Sequence, residues 1–196
     1  MEWTRVILAG ATTVALASSV WLGQGGNHRV PAAAAQGAQG AQATAVLRDL
    51  QGNQVGMVSF TEVPGGKVLV QADVANLSPG FHGFHVHATG VCDPATNFNS
   101  AGGHLQKPGH SDTHPDHAGD MPSLYVSADG SGVLTVQTDR FSFEDLFAGG
   151  PRALIVHADK DNFAHIPDRY GVTPDETTLN TGDAGGRIAC GVIERS

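Results

Sequence analysis

The chain predicts an all-β domain of eight short antiparallel strands, folded as a sandwich or flattened barrel with two long functional loops. Three observations lead there. Gly is frequent, at 26 of 196 residues, and aromatic residues are few, at 6%, which fits short strands and many turns better than helices. Strand-like runs recur at 43–48, 55–61, 67–74, 80–87, 124–127, 132–138, 152–157 and 187–192. Turn signals separate them at Gln51-Gly52-Asn53, Pro64-Gly65-Gly66 and Ser78-Pro79-Gly80, and Asp129-Gly130 is a hairpin signal. Two stretches, 91–122 and 158–186, are rich in Gly, Pro and Asp and do not fit as strands. Loops of that length in a compact domain are usually functional. A short helix is expected at 142–147, where Ser142 and Asp145 make a capping box and Gly149-Gly150 stops it.

The length suits one domain with a full core. Residues 1–31 read as a signal peptide or N-terminal anchor: Arg5 precedes an apolar run from Val6 to Leu22 that carries no charge. Alanines at 33–35 offer a signal-peptidase site, and the run is slightly short for a membrane span. Residues 32–43, built of Ala, Gly and Gln, read as a flexible linker, and 44–196 as the folded domain. No membrane insertion is expected beyond the signal segment. The formal charge of −8 and the pI near 5.6 exclude nucleic acid as a partner. Cys92 and Cys190 are the only cysteines. In an exported protein an even pair suggests a disulfide, worth up to ~4.7 kcal/mol for a loop of roughly a hundred residues. In a reducing compartment two buried thiols are the alternative.

The chemistry is concentrated around residues 80–87, Gly-Phe-His-Gly-Phe-His-Val-His. On a strand, His85 and His87 project from one face and Phe84 and Val86 from the other. His104, His110, His114, His117 and Asp120 follow, and His157 ends a later apolar run. Seven of the ten histidines lie between residues 82 and 117. Imidazole is the commonest metal ligand, so this density marks a metal site.

In order, residues 83–87 (GFHVH), 100–104 (SAGGH), 117–120 (HAGD), 156–157 (VH) and 182–191 (GDAGGRIACG) closely resemble the copper/zinc superoxide dismutases, in a bacterial, exported form. The resemblance runs from about Thr44 to Ile193. It implies a Greek-key barrel and secretion or retention in the cell envelope. It implies copper held by His85, His87, His104 and His157, and zinc held by His104, His110, His117 and Asp120. His104 would bridge the two metals. Arg187 would bind the anionic substrate over the open copper face, and Cys92 would pair with Cys190. Asp161 would link the two metal sites, and His82 would lie buried beside them as a non-ligand. Four nitrogens in a flattened set suit Cu(II), and a closed set of three His and one Asp suits Zn(II). The implied reaction alternates: one superoxide reduces the copper and leaves as oxygen. A second reoxidises it and leaves as hydrogen peroxide, with protons from His104 and water.

Two features depart from the family pattern. The segment between His104 and His117 is short, so His110 and His114 compete for one zinc position. His110 leaves the more reasonable loop before His117, whereas Pro115 makes a tighter turn of His114; His110 is therefore the expected ligand. The loop before Arg187 lacks the lysine that helps attract superoxide, unless Lys160 or Arg169 replaces it. The alternative reading is a copper-binding module of the same fold that stores copper without turnover. A homodimer is the favoured assembly.

Overall fold

The computed structural model describes residues 40–196, so the signal segment and the linker up to residue 39 lie outside the described residues. The first strand, β1 (Gln42–Asp49), begins just before residue 44. It buries Ala43, Ala45 and Leu47 and turns the residues between them outward, the period-two pattern of a strand with one face on a core. A meander follows through β2 (Gln54–Val63) and β3 (Lys67–Val74). The β1–β2 register shifts after Leu47, which pairs with Gly56 while Arg48 pairs with Gln54. The extra residue, Val55, is a bulge, and it explains why Val55 and Val58 are both buried although three apart.

The segment 80–87 reads as one strand in the sequence but forms two. β4 (Gly80–His82) pairs with β6 (Leu124–Val126), and β5 (Phe84–His87) pairs with β8 (Ala153–His157). The change of partner falls at Gly83, whose N–H donates to the Asp159 carbonyl and whose own carbonyl accepts from His157. Between β6 and β8 lies β7 (Gly132–Thr138), and the chain ends in β9 (Arg187–Val192) and the two-residue β10 (Glu194–Arg195). The expected helix at 142–147 is a single 3-10 turn, Glu144–Leu146. Its cap is as expected, with the Ser142 N–H donating to Asp145 Oδ2 at 2.7 Å and the Asp145 N–H to Ser142 Oγ at 3.3 Å. A helix absent from the sequence reading, α1 (Glu176–Thr181), stands in the second long loop. Asp175 caps it through the Thr178 N–H at 2.9 Å, and Gly182 at φ 60 ends it.

The main sheet has the order β5-β8-β9-β1-β2-β3-β7, with β10 on the side of β1. Its pairings are antiparallel, and β1 lies between β2 and the C-terminal β9, the non-sequential order of a Greek key. The β4–β6 pair joins the two ends of this sheet along the chain: β6 turns into β7 at Asp129-Gly130, and β4 runs into β5 through Gly83. This is the antiparallel barrel expected, with both long loops on the flank of β5, β8 and β9.

Phe60, Phe84, Phe141, Leu124 and Leu154 are fully buried in the core, each worth about 1.5–3 kcal/mol of burial. A smaller apolar cluster of Phe98, Ala101, Ala153, Ile155 and Cys190 lies beneath the first long loop. There Cys92 and Cys190 form a disulfide with Cα atoms 5.7 Å apart, which clamps the loop to β9 and closes a span of 98 residues. We expect paired serine substitution at Cys92 and Cys190 to cost about 2–5 kcal/mol in urea unfolding at matched metal content. A loss below about 0.5 kcal/mol would contradict the clamp.

Candidate metal centre

Antiparallel pairing of β5 with β8 sets His85 opposite Ile155 and His87 opposite Ala153, and His157 ends β8 at a register shift after Val156. Phe84 and Val86 point the other way, into the core. His104 arrives from the first long loop through a bridge to His87. Gly83 lets these parts approach: a Cβ there would lie 2.6 Å from Ala184 Cβ and 3.1 Å from His85 Cε1.

The rings of His85, His87, His104 and His157 are all buried, and one nitrogen from each lies within 4.8 Å of the others. His87 Nε2 and His157 Nε2 are 3.4 Å apart. His85 Nδ1 and His104 Nε2 have no hydrogen-bond partner. Each such buried atom costs about 1–3 kcal/mol if left unsatisfied, and one shared cation would satisfy both. The far nitrogens fix the ring orientations, as outer partners do around a metal. His85 Nε2 lies 2.9 Å from Asp161 Oδ2, His87 Nδ1 2.9 Å from the Gly102 carbonyl, and His157 Nδ1 3.1 Å from the Gly185 carbonyl. His82 is buried outside this group, with its ring nitrogens each 2.7 Å from the carbonyls of His157 and Ser78.

His104 turns its other nitrogen to a second group. His104 Nδ1 is 2.7 Å from Asp120 Oδ1 and 3.2 Å from His117 Nδ1, and His117 Nδ1 is 3.3 Å from Asp120 Oδ2. The remaining member is His114, buried, with Nδ1 2.9 Å from Asp120 Oδ2. That distance is short, yet the angle is wrong for a hydrogen bond. His114 Nδ1 is thus a buried nitrogen without a hydrogen-bond partner beside a carboxylate, which a shared cation would satisfy. A four-atom set of His85, His104, His114 and Asp120 also meets the distance test. His85 Nδ1 already belongs to the first group, however, so His117, with Nδ1 close to both His104 and Asp120, is the better fourth member.

The structure does not bring His110 to this group. His110 is partly exposed, and its Nδ1–H donates to the Asp116 carbonyl at 3.1 Å. His114 is drawn in instead because its backbone N–H donates to the Leu179 carbonyl, 2.6 Å away in α1. Asp161 then binds both groups: its carboxylate lies 2.9 Å from His85 Nε2 and 2.8 Å from His114 Nε2. Gly182 makes room for this pair, since a Cβ there would fall 2.0 Å from Asp161 Oδ1 and 2.7 Å from His114 Nε2. Phe163, stacked on His114 with ring centroids 6.1 Å apart, did not stand out in the sequence, and Gly182 did so only as the start of the 182–191 motif.

A cavity of about 670 Å³ opens beside His104 and His157, with Arg187 on its wall. Arg187 is half-buried and immobilised: Nη1 donates to the Phe98 carbonyl at 2.7 Å and Nη2 to the Gly102 carbonyl at 2.6 Å.

A family model described as copper/zinc superoxide dismutase matches residues 54–193. The chain belongs to the copper/zinc superoxide dismutase family. The Cu-Zn superoxide dismutase of Mycolicibacterium paratuberculosis is 43% identical over 89% of this chain and 84% of its own length. That of Mycobacterium tuberculosis is 45% identical over 79% of this chain and 71% of its own. Among solved structures, the clock protein EA4 superposes with a TM-score of 0.63 at 30% identity, covering 78% of this chain and 93% of that one. A double mutant of a SOD-like protein from Bacillus subtilis gives 0.59 at 28% identity, over 76% and 95%. Family membership agrees with the buried donor sets, which offer imidazoles for copper and a mixed imidazole–carboxylate group for zinc.

Burial shapes the titration of the metal-free site. It keeps His85 and His87 below the ordinary histidine value and pulls His104 down to about 4 and His157 to about 3. These rings are therefore neutral near pH 7, the form that binds metals. Burial also opposes charge on His114, but the carboxylates of Asp120 and Asp161 outweigh it and raise this histidine from 6.5 to about 9. Below pH 6.5 the unfolded chain takes up protons that folded His104 and His157 refuse, so stability falls as the pH drops towards 4 and 3. The His114 contribution is complete below pH 6.5 and is lost as the pH rises through about 9. The thermal midpoint of chelator-treated protein is therefore expected to peak near pH 6.5 and decline on both sides. A flat profile from pH 4 to 9 would contradict these assignments.

Proposed function

We propose that this chain is an exported superoxide dismutase that holds copper at His85, His87, His104 and His157 and zinc at His104, His114, His117 and Asp120. His114 takes the place expected for His110. The observation that carries the reading is the position of His104. Its unpartnered Nε2 faces three imidazoles, and its Nδ1 faces Asp120 and His117. Copper, when bound, supplies the one-electron oxidation and reduction of superoxide, while zinc, which has no redox chemistry, fixes its neighbours.

The protein's own residues do the rest. Arg187 is fixed by two carbonyls, so its remaining N–H groups face the cavity and bind a small anion without reorganisation. Whenever His104 Nε2 is not engaged by copper it would hold one of the protons that the peroxide product requires, and water in the open cavity would provide the other. Asp161 keeps the His85 and His114 rings in register with each other. The Arg187 side chain also distinguishes catalysis from copper storage, because a storage site needs no cation over an accessible face. Export and a homodimer belong to the same reading. The disulfide supports the first, and the exposed Phe81–Tyr125 ring pair supports the second.

The test is dismutation by the copper- and zinc-loaded protein. Arg187→Ala should lower kcat/KM by roughly 10- to 100-fold with copper content unchanged, and unaltered turnover would sink its assigned role. Metal analysis should find that His114→Ala loses zinc and keeps copper, while His110→Ala keeps both. Zinc lost on substitution of His110 but not of His114 would reverse the assignment.

A further inference from the structure

Charge at the mouth of the cavity departs from what an anion-capturing enzyme would favour. Neither Lys160 nor Arg169 is on the cavity wall. Lys160 lines a separate cleft with Asp159 and Asp183, and the Arg169 guanidinium lies 5.0 Å over the Tyr170 ring. Among the described residues, Arg187 is the one Lys or Arg on the wall of the copper-side cavity, and Asp112 is the one carboxylate. The remaining polar wall is neutral, formed by residues such as Asn97, Gln106, Asn180 and Thr181. Asp112 is exposed and makes no side-chain hydrogen bond or salt bridge among the described residues. Its neighbour Asp116 differs, lying 3.5 Å from His110 and 3.9 Å from Arg140.

We infer that Asp112 is a specificity-determining residue which opposes entry of the anionic substrate and holds capture below the rate that Arg187 and the metals alone would allow. This inference rests on the dismutase reading. An anion approaching Arg187 meets an unpaired negative charge on the same wall. At a separation of ~10 Å in water a unit charge alters the local anion concentration by roughly twofold. The effect is long-ranged, so salt weakens it: the Debye length falls from ~30 Å at 0.01 M to ~3 Å at 1 M.

The test compares Asp112→Asn and Asp112→Lys with Glu62→Gln, which removes an exposed charge on β2 away from the cavity. All are measured as copper- and zinc-loaded full chains. At 10 mM salt, kcat/KM should rise about twofold for Asp112→Asn and about fourfold for Asp112→Lys, with both gains fading at 1 M. Azide affinity, followed by visible absorption of the loaded protein, should strengthen by the same factors. Values for Asp112→Asn equal to those of Glu62→Gln in both assays would overturn the inference. A loaded wild-type chain without dismutase activity would overturn the functional reading instead, and azide binding would still decide the role of Asp112.

Discussion

Imidazoles packed this closely cannot all be positively charged. His85, His87, His104 and His157 crowd their nitrogens within 4.8 Å in a buried space, where like charges repel strongly. The rings are held neutral, and neutrality leaves nitrogen lone pairs directed at one point. Two of those nitrogens have no protein partner at all. Outside the group, Asp161, Gly102 and Gly185 take up the opposite nitrogens and so fix which face of each ring looks inward. The arrangement is a ligand set before any metal arrives.

Holding such a set requires a rigid frame on every side. β5 and β8 supply three of the rings from paired strands, and their other faces are locked in the apolar core through Phe84, Val86, Leu154 and Val156. The loops have no such core, so they are tied by specific bonds. Cys92–Cys190 pins the first loop to β9, and the same strand offers Arg187, whose guanidinium donates to the Phe98 and Gly102 carbonyls of that loop. The second loop is joined to the first where the His114 N–H meets the Leu179 carbonyl and where Asp161 meets His114 Nε2. Asp161 thus couples both long loops to β5 through one carboxylate.

How far the chain could be read follows from the range of the interactions. Alternation and turn chemistry are local, and they located the strands, including the outward pair His85 and His87 with Phe84 and Val86 behind. The break at Gly83 was missed because it comes from a change of partner strand, from β6 to β8, and a run of residues does not show its partners. Asp175 and Gly182 carried a readable helix signal for α1, hidden within a loop dense in turn-forming residues. The choice between His110 and His114 rested on loop length and the turn at Pro115. A bond to Leu179, sixty-five residues further on, decided where His114 goes. The opening left at Gly182 for Asp161 and His114 is likewise a property of packing.

Anomalous diffraction from crystals of the copper- and zinc-loaded protein, recorded at both absorption edges, tests the central claim most directly. The account predicts a copper peak enclosed by His85 Nδ1, His87 Nε2, His104 Nε2 and His157 Nε2, and a zinc peak on the Nδ1 side of His104 beside Asp120. Peaks at other residues, or rings too far apart to share an ion, would contradict it.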